Sequence, residues 1–298
     1  MSQATMKMQP KTKDQQTGAH AVLTARRIVA YAVLILLCAL CLFFFYVLII
    51  NATRPHADIQ KGFSFLPGSW TSLCNNFTQV INNANIPIIS GMRNSLIVSA
   101  MTAIFACYFS ALTAFGIHAY RFKGRALALT FILLIMTMPT QVSALGFVQL
   151  MGKMNLKDSL LPLFLPSIAS PAVFYFMYQY MQASLPLEVI EAARIDGASE
   201  ARIFFTIVLR LLAPAMVTIF LFLFVATWNN FLLPLMMVSS DALKPVTLGL
   251  YGMVSLATFT DRGALMMGAL LGVLPVIVIF LGLQRYWQSG LAAGAVKG

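Results

Sequence analysis

The sequence predicts an all-α integral membrane protein that crosses the bilayer six times. Three observations carry this expectation: the composition, six uncharged apolar runs, and the distribution of the basic residues. Of 298 residues, 59% are hydrophobic and only 10% are charged, and the mean hydropathy is +0.82. A soluble domain carries roughly 25% charged residues, so lipid is the solvent for most of this chain. A hydrocarbon layer of roughly 30 Å needs about 20 apolar helical residues at about 1.5 Å each.

The runs cover 28–50, 94–117, 126–150, 160–185, 211–238 and 263–283, and none contains Lys, Arg, Asp or Glu. One such charge at the centre of a span costs about 2.5–3.5 kcal/mol on insertion scales, so their absence supports the count. The formal charge of +11 invites a nucleic-acid reading, but its distribution follows topology instead. With the N-terminus placed in the cytoplasm, that side carries Lys7, Lys11, Lys13, Arg26, Arg27, Arg121, Lys123, Arg125, Arg194, Arg202, Arg210, Arg285 and Lys297, most of the 20 basic residues. The short loop holding Arg121, Lys123 and Arg125 is the most telling, because short loops are where positive charge sets orientation. Both termini are expected in the cytoplasm, and no nucleic-acid partner is expected.

The chain divides accordingly. Residues 1–27 read as a disordered basic cytoplasmic tail, 28–285 as the six-span domain, and 286–298 as a cytoplasmic C-terminal tail. Within the domain, 51–91 reads as an ordered outer cap and 186–210 as a cytoplasmic loop. Prolines 139, 162, 166, 171, 234 and 275 are expected to kink or interrupt spans. Cys38 and Cys41 mimic a metal-binding C-x-x-C, but they lie mid-span without His or acidic neighbours and read as packing residues. No metal site is expected.

The polar segment between the fourth and fifth spans reads as two short helices. Ser184 is expected to cap the first, Glu188 and Glu191 suit its positive end, and Gly197 can end it in a left-handed turn. Glu188, Glu191 and Arg194 then share one stripe. Ser199 is expected to cap the second helix, whose apolar residues Ala201, Phe204, Phe205, Val208, Leu211 and Leu212 recur at helical spacing.

The stretch EAARIDGAS at 191–199, followed by IVLRLLAPA, resembles the EAA loop of binding-protein-dependent ABC importer permeases. MRNSLIVS at Met92, TWNNFLLPL at Thr227, TLGLYG at Thr247 and the ending QRYWQSGLAAGAVKG strengthen the resemblance. Together they are similar to the smaller permease of the carbohydrate-uptake branch typified by the maltose transporter. The resemblance implies that Glu188, Glu191, Ala192, Ala193, Arg194, Asp196 and Gly197 form a coupling loop that docks on a cytoplasmic ATPase. It implies that the tail around Gly290, Gly294 and Lys297 reaches between two ATPase subunits. It further implies a second permease, a solute-binding protein, a bacterial inner-membrane location, and a sugar or oligosaccharide as cargo. This chain departs from the family pattern at Arg210, where a proline is usual, so a straighter helix into span five is expected, with Pro214 supplying a later break.

Trp228, Asn229, Asn230 and Tyr251 are the candidate wall of the translocation path, since carboxamides exchange paired hydrogen bonds with hydroxyls and aromatic faces stack on sugar rings. Packing at span ends is the competing use of the same residues. The chain has no G-x-x-x-x-G-K-[ST] phosphate loop, so ATP and Mg are expected on a partner chain. An enzyme reading lacks machinery: His20, His56 and His118 are scattered, and there is no H-E-x-x-H. The alternative is an ion-coupled secondary transporter of small solutes, which would share the broken helices. A proton relay needs ionisable groups within the spans, and His118 at a span end is the sole candidate.

Overall fold

The computed structural model describes residues 13–83, 88–255 and 261–295, and every regular element among them is helical. The order is α1 (Lys13–Ala52), α2 (His56–Lys61), α3 (Trp70–Ile81), α4 (Ile88–Ala119), α5 (Arg125–Met136), α6 (Thr140–Lys153) and α7 (Leu161–Phe164). There follow α8 (Pro171–Ser184), α9 (Leu187–Ile195), α10 (Glu200–Ile203), α11 (Leu209–Trp228), α12 (Leu232–Met237), α13 (Val246–Ser255) and α14 (Arg262–Ala295).

Among the described residues five stretches are long and apolar enough to cross a bilayer: Arg26–Ala52, Ile88–Ala119, Leu161–Ser184, Glu200–Trp228 and Arg262–Arg285. The third expected span is divided instead. Helix α5 has 12 residues, about 18 Å at about 1.5 Å each, which is short of a roughly 30 Å core. The interruption is Pro139, extended at ψ 121°. A proline disfavours helix in the residue before it and donates no N–H. The Thr137 hydroxyl at the break donates to Leu134 O at 2.7 Å.

Other prolines behave differently. Pro275 lies inside an unbroken α14, and α11 runs straight through Pro214, where the Thr218 hydroxyl donates to Pro214 O at 2.9 Å. The expected break at Pro214 is therefore absent. A π turn at Phe204–Val208 stands before it, joining α10 to α11. The expected fifth span also ends early, because the helix stops at Trp228 and resumes at Leu232. Within the expected N-terminal tail, residues 13–27 continue α1 as helix, since a formed span propagates into flanking residues that contain no proline. Residues 1–12 lie outside the described residues.

Helix α4 is the centre of the bundle and packs against α8, α11 and α13. Its inward face carries Ser99, Ala103, Ala106, Ser110, Ala111 and Ala114, all buried, and small side chains let neighbouring helices approach closely where lipid supplies no hydrophobic drive. Larger residues fill the space opposite: Met177 and Met181 from α8, and Leu212 from α11. Helix α1 lies at the rim on α14 and exposes Ile28, Leu36 and Phe44. Cys38 and Cys41 are free and exposed on it.

The segment after α1 is ordered where described. Ser69 caps α3 by accepting from Ser72 N, and buried Asn76 donates to Ala52 O at 2.9 Å and Arg54 O at 3.0 Å. Arg54 in turn donates to Asp58 O and Gly62 O. These bonds tie α2 and α3 to the end of α1. Gly263 of α14 lies so close that a Cβ there would stand 2.4 Å from Arg54 O.

Candidate functional site

The polar segment between α8 and α11 forms the helix–turn–helix expected of it, with two changes in detail. Ser184 does not cap α9. Its hydroxyl donates back to Tyr180 O at 2.7 Å, and Pro186 occupies the cap position without a side-chain bond. Gly197 has φ +79°, and a Cβ there would meet nothing within 4 Å. The glycine is therefore required for its conformation and not for space. Ser199 caps α10 by accepting from Arg202 N.

Ile190 is 1% exposed and anchors α9 to the bundle. On the opposite side Glu188, Val189, Glu191, Ala192, Ile195, Asp196 and Gly197 face outward, with Ile195 86% exposed. Ala193 is half-buried beneath them. Glu188, Glu191 and Asp196 enter no ion pair among the described residues. The result is an outward face of three carboxylates around an exposed isoleucine, carried on a short anchored helix.

Arg194 does not extend the stripe of Glu188 and Glu191. Its Nε donates to Glu200 Oε1 at 2.7 Å and its Nη2 to Oε2 at 3.1 Å, closing the glycine turn from one helix to the next. The Tyr120 hydroxyl, just beyond α4, donates to Glu200 Oε2 at 2.5 Å. The Arg194 guanidinium lies 5.2 Å from the centre of the same phenol ring. Partial burial, then Glu200, raises the Tyr120 phenol above its usual 10, so it remains a proton donor at neutral pH. The hydrogen bond to Glu200 likewise raises Arg194. On the entry side His118 Nε2 lies 2.9 Å from Leu185 O. The end of α4 thus holds both flanks of the loop.

The four candidate path residues have different surroundings. Trp228 is buried at 4% exposure, stacks on Phe224 with centroids 5.7 Å apart, and donates from Nε1 to Gly272 O at 3.1 Å. It packs α11 against α14. Asn229 is exposed with its amide turned back to Val225 O at 2.9 Å. Tyr251 is half exposed and meets Phe231 edge-on at 4.6 Å. Asn230 lines a small cavity of about 10 Å³ with Ser95, Ser99, Thr227, Leu163 and Pro234. That volume holds about one water and no sugar. The Ser99 hydroxyl is buried there and has no hydrogen-bond partner among the described residues. Of the expected tail contacts, Gly290 and Gly294 fall on the helical backbone of α14 and Lys297 lies outside the described residues.

Residues 108–292 match the family described as "Binding-protein-dependent transport system inner membrane component". The chain belongs to this family. It is 32% identical over 264 residues to the arabinooligosaccharides transport system permease protein AraQ of Bacillus subtilis, covering 88% of this chain and 93% of that protein. It is 33% identical over 270 residues to the sn-glycerol-3-phosphate transport system permease protein UgpE of Salmonella typhimurium, covering 89% and 95%. Among solved structures, a chain of a bacterial ABC transporter involved in the import of the acidic polysaccharide alginate superposes with a TM-score of 0.74. That match has 17% identity and covers 94% of this chain and all of the other, a likeness of fold.

In this inner membrane component the polar positions of Glu188 and Glu191 and the turn at Gly197 are readable from the sequence, whereas the pairing of Tyr120 with Glu200 is not. They are 80 residues apart, and no helical periodicity links them. A tyrosine just beyond a span end beside a basic loop was the one available signal.

Proposed function

We propose that this chain is the smaller permease subunit of an ATP-driven importer of a sugar or oligosaccharide. It crosses the membrane six times, with the α5–α6 pair forming the third passage and both ends in the cytoplasm. It pairs with a second permease, receives cargo from a solute-binding protein, and is driven by two copies of an ATPase that hold ATP and Mg. Membership in a family of binding-protein-dependent systems supports this reading, as do relatives that handle arabinooligosaccharides.

The observation that carries it is the exposed face of α9. An 86%-exposed isoleucine ringed by Glu188, Glu191 and Asp196 is a surface made to be covered, and unpaired carboxylates suit basic residues on a partner. Ala192 keeps that surface low enough for close approach. The ATPase docks here, and its closure on ATP swings the loop and opens the bundle outward. The cargo path runs past Asn230. Substrate enters from the far side once the bundle turns.

Gly197→Val in the intact membrane complex tests the docking. A β-branched residue at positive φ is strained, so both short helices lose their aim. The ATPase is expected to be lost on affinity purification of the permease, with uptake of arabinotriose abolished. A Gly197→Val complex that retains its ATPase and transports normally sinks the reading.

A further inference from the structure

We infer that Tyr120, Arg194 and Glu200 form a latch that makes the coupling loop one rigid body with α4. The inference rests on the docking role just proposed for α9, and it assigns a positioning task to residues that touch neither the ATPase face nor the path.

The geometry has three strands of support. First, Glu200 uses both carboxylate oxygens, accepting two bonds from Arg194 at 2.7 and 3.1 Å and one from Tyr120 at 2.5 Å. A two-point guanidinium–carboxylate pair fixes direction as well as distance. Second, the Arg194 guanidinium lies over the Tyr120 ring, so each member contacts the other two. Third, the Tyr120 ring meets Phe115 of α4 at 5.8 Å, and Phe115 meets Phe204 at 5.7 Å. The polar triangle therefore sits on an aromatic step joining α4 to the start of the π turn.

Exposure decides what such a cluster is for. The Arg194 and Glu200 side chains are 33% and 44% exposed, and exposed pairs add little to stability. A network of three with fixed geometry is instead suited to orientation. Without it, α9 would be held to the bundle by the apolar contacts of Leu187, Ile190 and Ala193 and by the His118–Leu185 bond, none of which fixes its bearing as a two-point ion pair does. With it, a push on the α9 face reaches α4, the helix that α8, α11 and α13 pack against.

Spin labels at Val189→Cys, on α9 outside the ring of carboxylates, and Thr113→Cys on α4 test this, in an otherwise cysteine-free, fully assembled complex in nanodiscs. In the parent complex the label separation is expected to be narrow and unchanged when ATP is added. Tyr120→Phe and Glu200→Gln, alone or together, are expected to at least double its width and to make it shift with ATP. The exchanged pair Arg194→Glu with Glu200→Arg is expected to recover most of the narrowness that Arg194→Glu alone destroys. Distributions in Tyr120→Phe and Glu200→Gln as narrow as the parent's overturn the latch, as does failure of the exchanged pair to improve on Arg194→Glu. Failure of the docking reading would show separately, as a Gly197→Val complex that keeps its ATPase bound and transports normally.

Discussion

Trp228 Nε1 donates to Gly272 O at 3.1 Å across the α11–α14 contact. The residue that most resembles a sugar-stacking platform in the sequence is thereby a structural rivet. Trp228→Phe keeps the stack on Phe224 and removes one hydrogen bond, which is expected to cost about 0.5–1.5 kcal/mol. Trp228→Ala opens a cavity and is expected to cost about 3–5 kcal/mol. Denaturant unfolding of the purified complex reads both. The KM for uptake should stay at the parent value in Trp228→Phe, and a several-fold rise would put the indole on the path.

Gly263 and Gly282 lie on the same helix and predict opposite responses to alanine. A Cβ at Gly263 would stand 2.4 Å from Arg54 O and 2.7 Å from Asn76 Nδ2, whereas at Gly282 nothing lies within 4 Å. Gly263→Ala is expected to destabilise by about 1–3 kcal/mol through overpacking. Gly282→Ala is expected to be neutral or slightly stabilising, since alanine is the better helix former. Melting temperatures of the two variants in one detergent give the comparison.

Asp158 joins the α6–α7 connection to the segment after α12. It accepts from Ser239 N at 2.9 Å, Ser240 N at 2.8 Å and the Ser240 hydroxyl. The Ser240 side chain first, then the two backbone amides, holds its carboxyl below the usual 3.8. A depressed carboxylate stabilises the fold above its unfolded value and loses that contribution as pH falls through its folded value. The advantage of the parent over Asp158→Asn should therefore be constant at neutral pH and shrink once pH drops below 3.8. Melting temperatures of both across the acid range check this, and parallel curves throughout would show that the carboxylate charge plays no part.

The sequence shows where lipid is the solvent, because a missing charge is visible residue by residue. It does not show what a proline will do. Pro139 and Pro275 each interrupt an apolar run, yet only the first ends a helix. The difference lies in the neighbours. Thr137 and Ser143 offer hydroxyls to the carbonyls of Leu134 and Pro139, while Pro275 is flanked by Leu274 and Val276, which offer nothing but continued helix. Gly197 was legible because a left-handed turn between two short helices nearly demands glycine. Partners across the fold were not. Periodicity tells which face of α9 is apolar, but nothing in it could pair Arg194 with Glu200 and Tyr120 in preference to the carboxylates on its own helix.

The π turn at Phe204–Val208 has a consequence for how such a loop is aimed. A turn of this kind holds one residue more than the α-helix around it, and each α-helical residue advances about 100° about the axis. Removing one residue from this stretch would turn the loop relative to the bundle by about a quarter turn about the helix axis. The bearing of the loop relative to the bundle is thus written as a length, in a stretch of five residues.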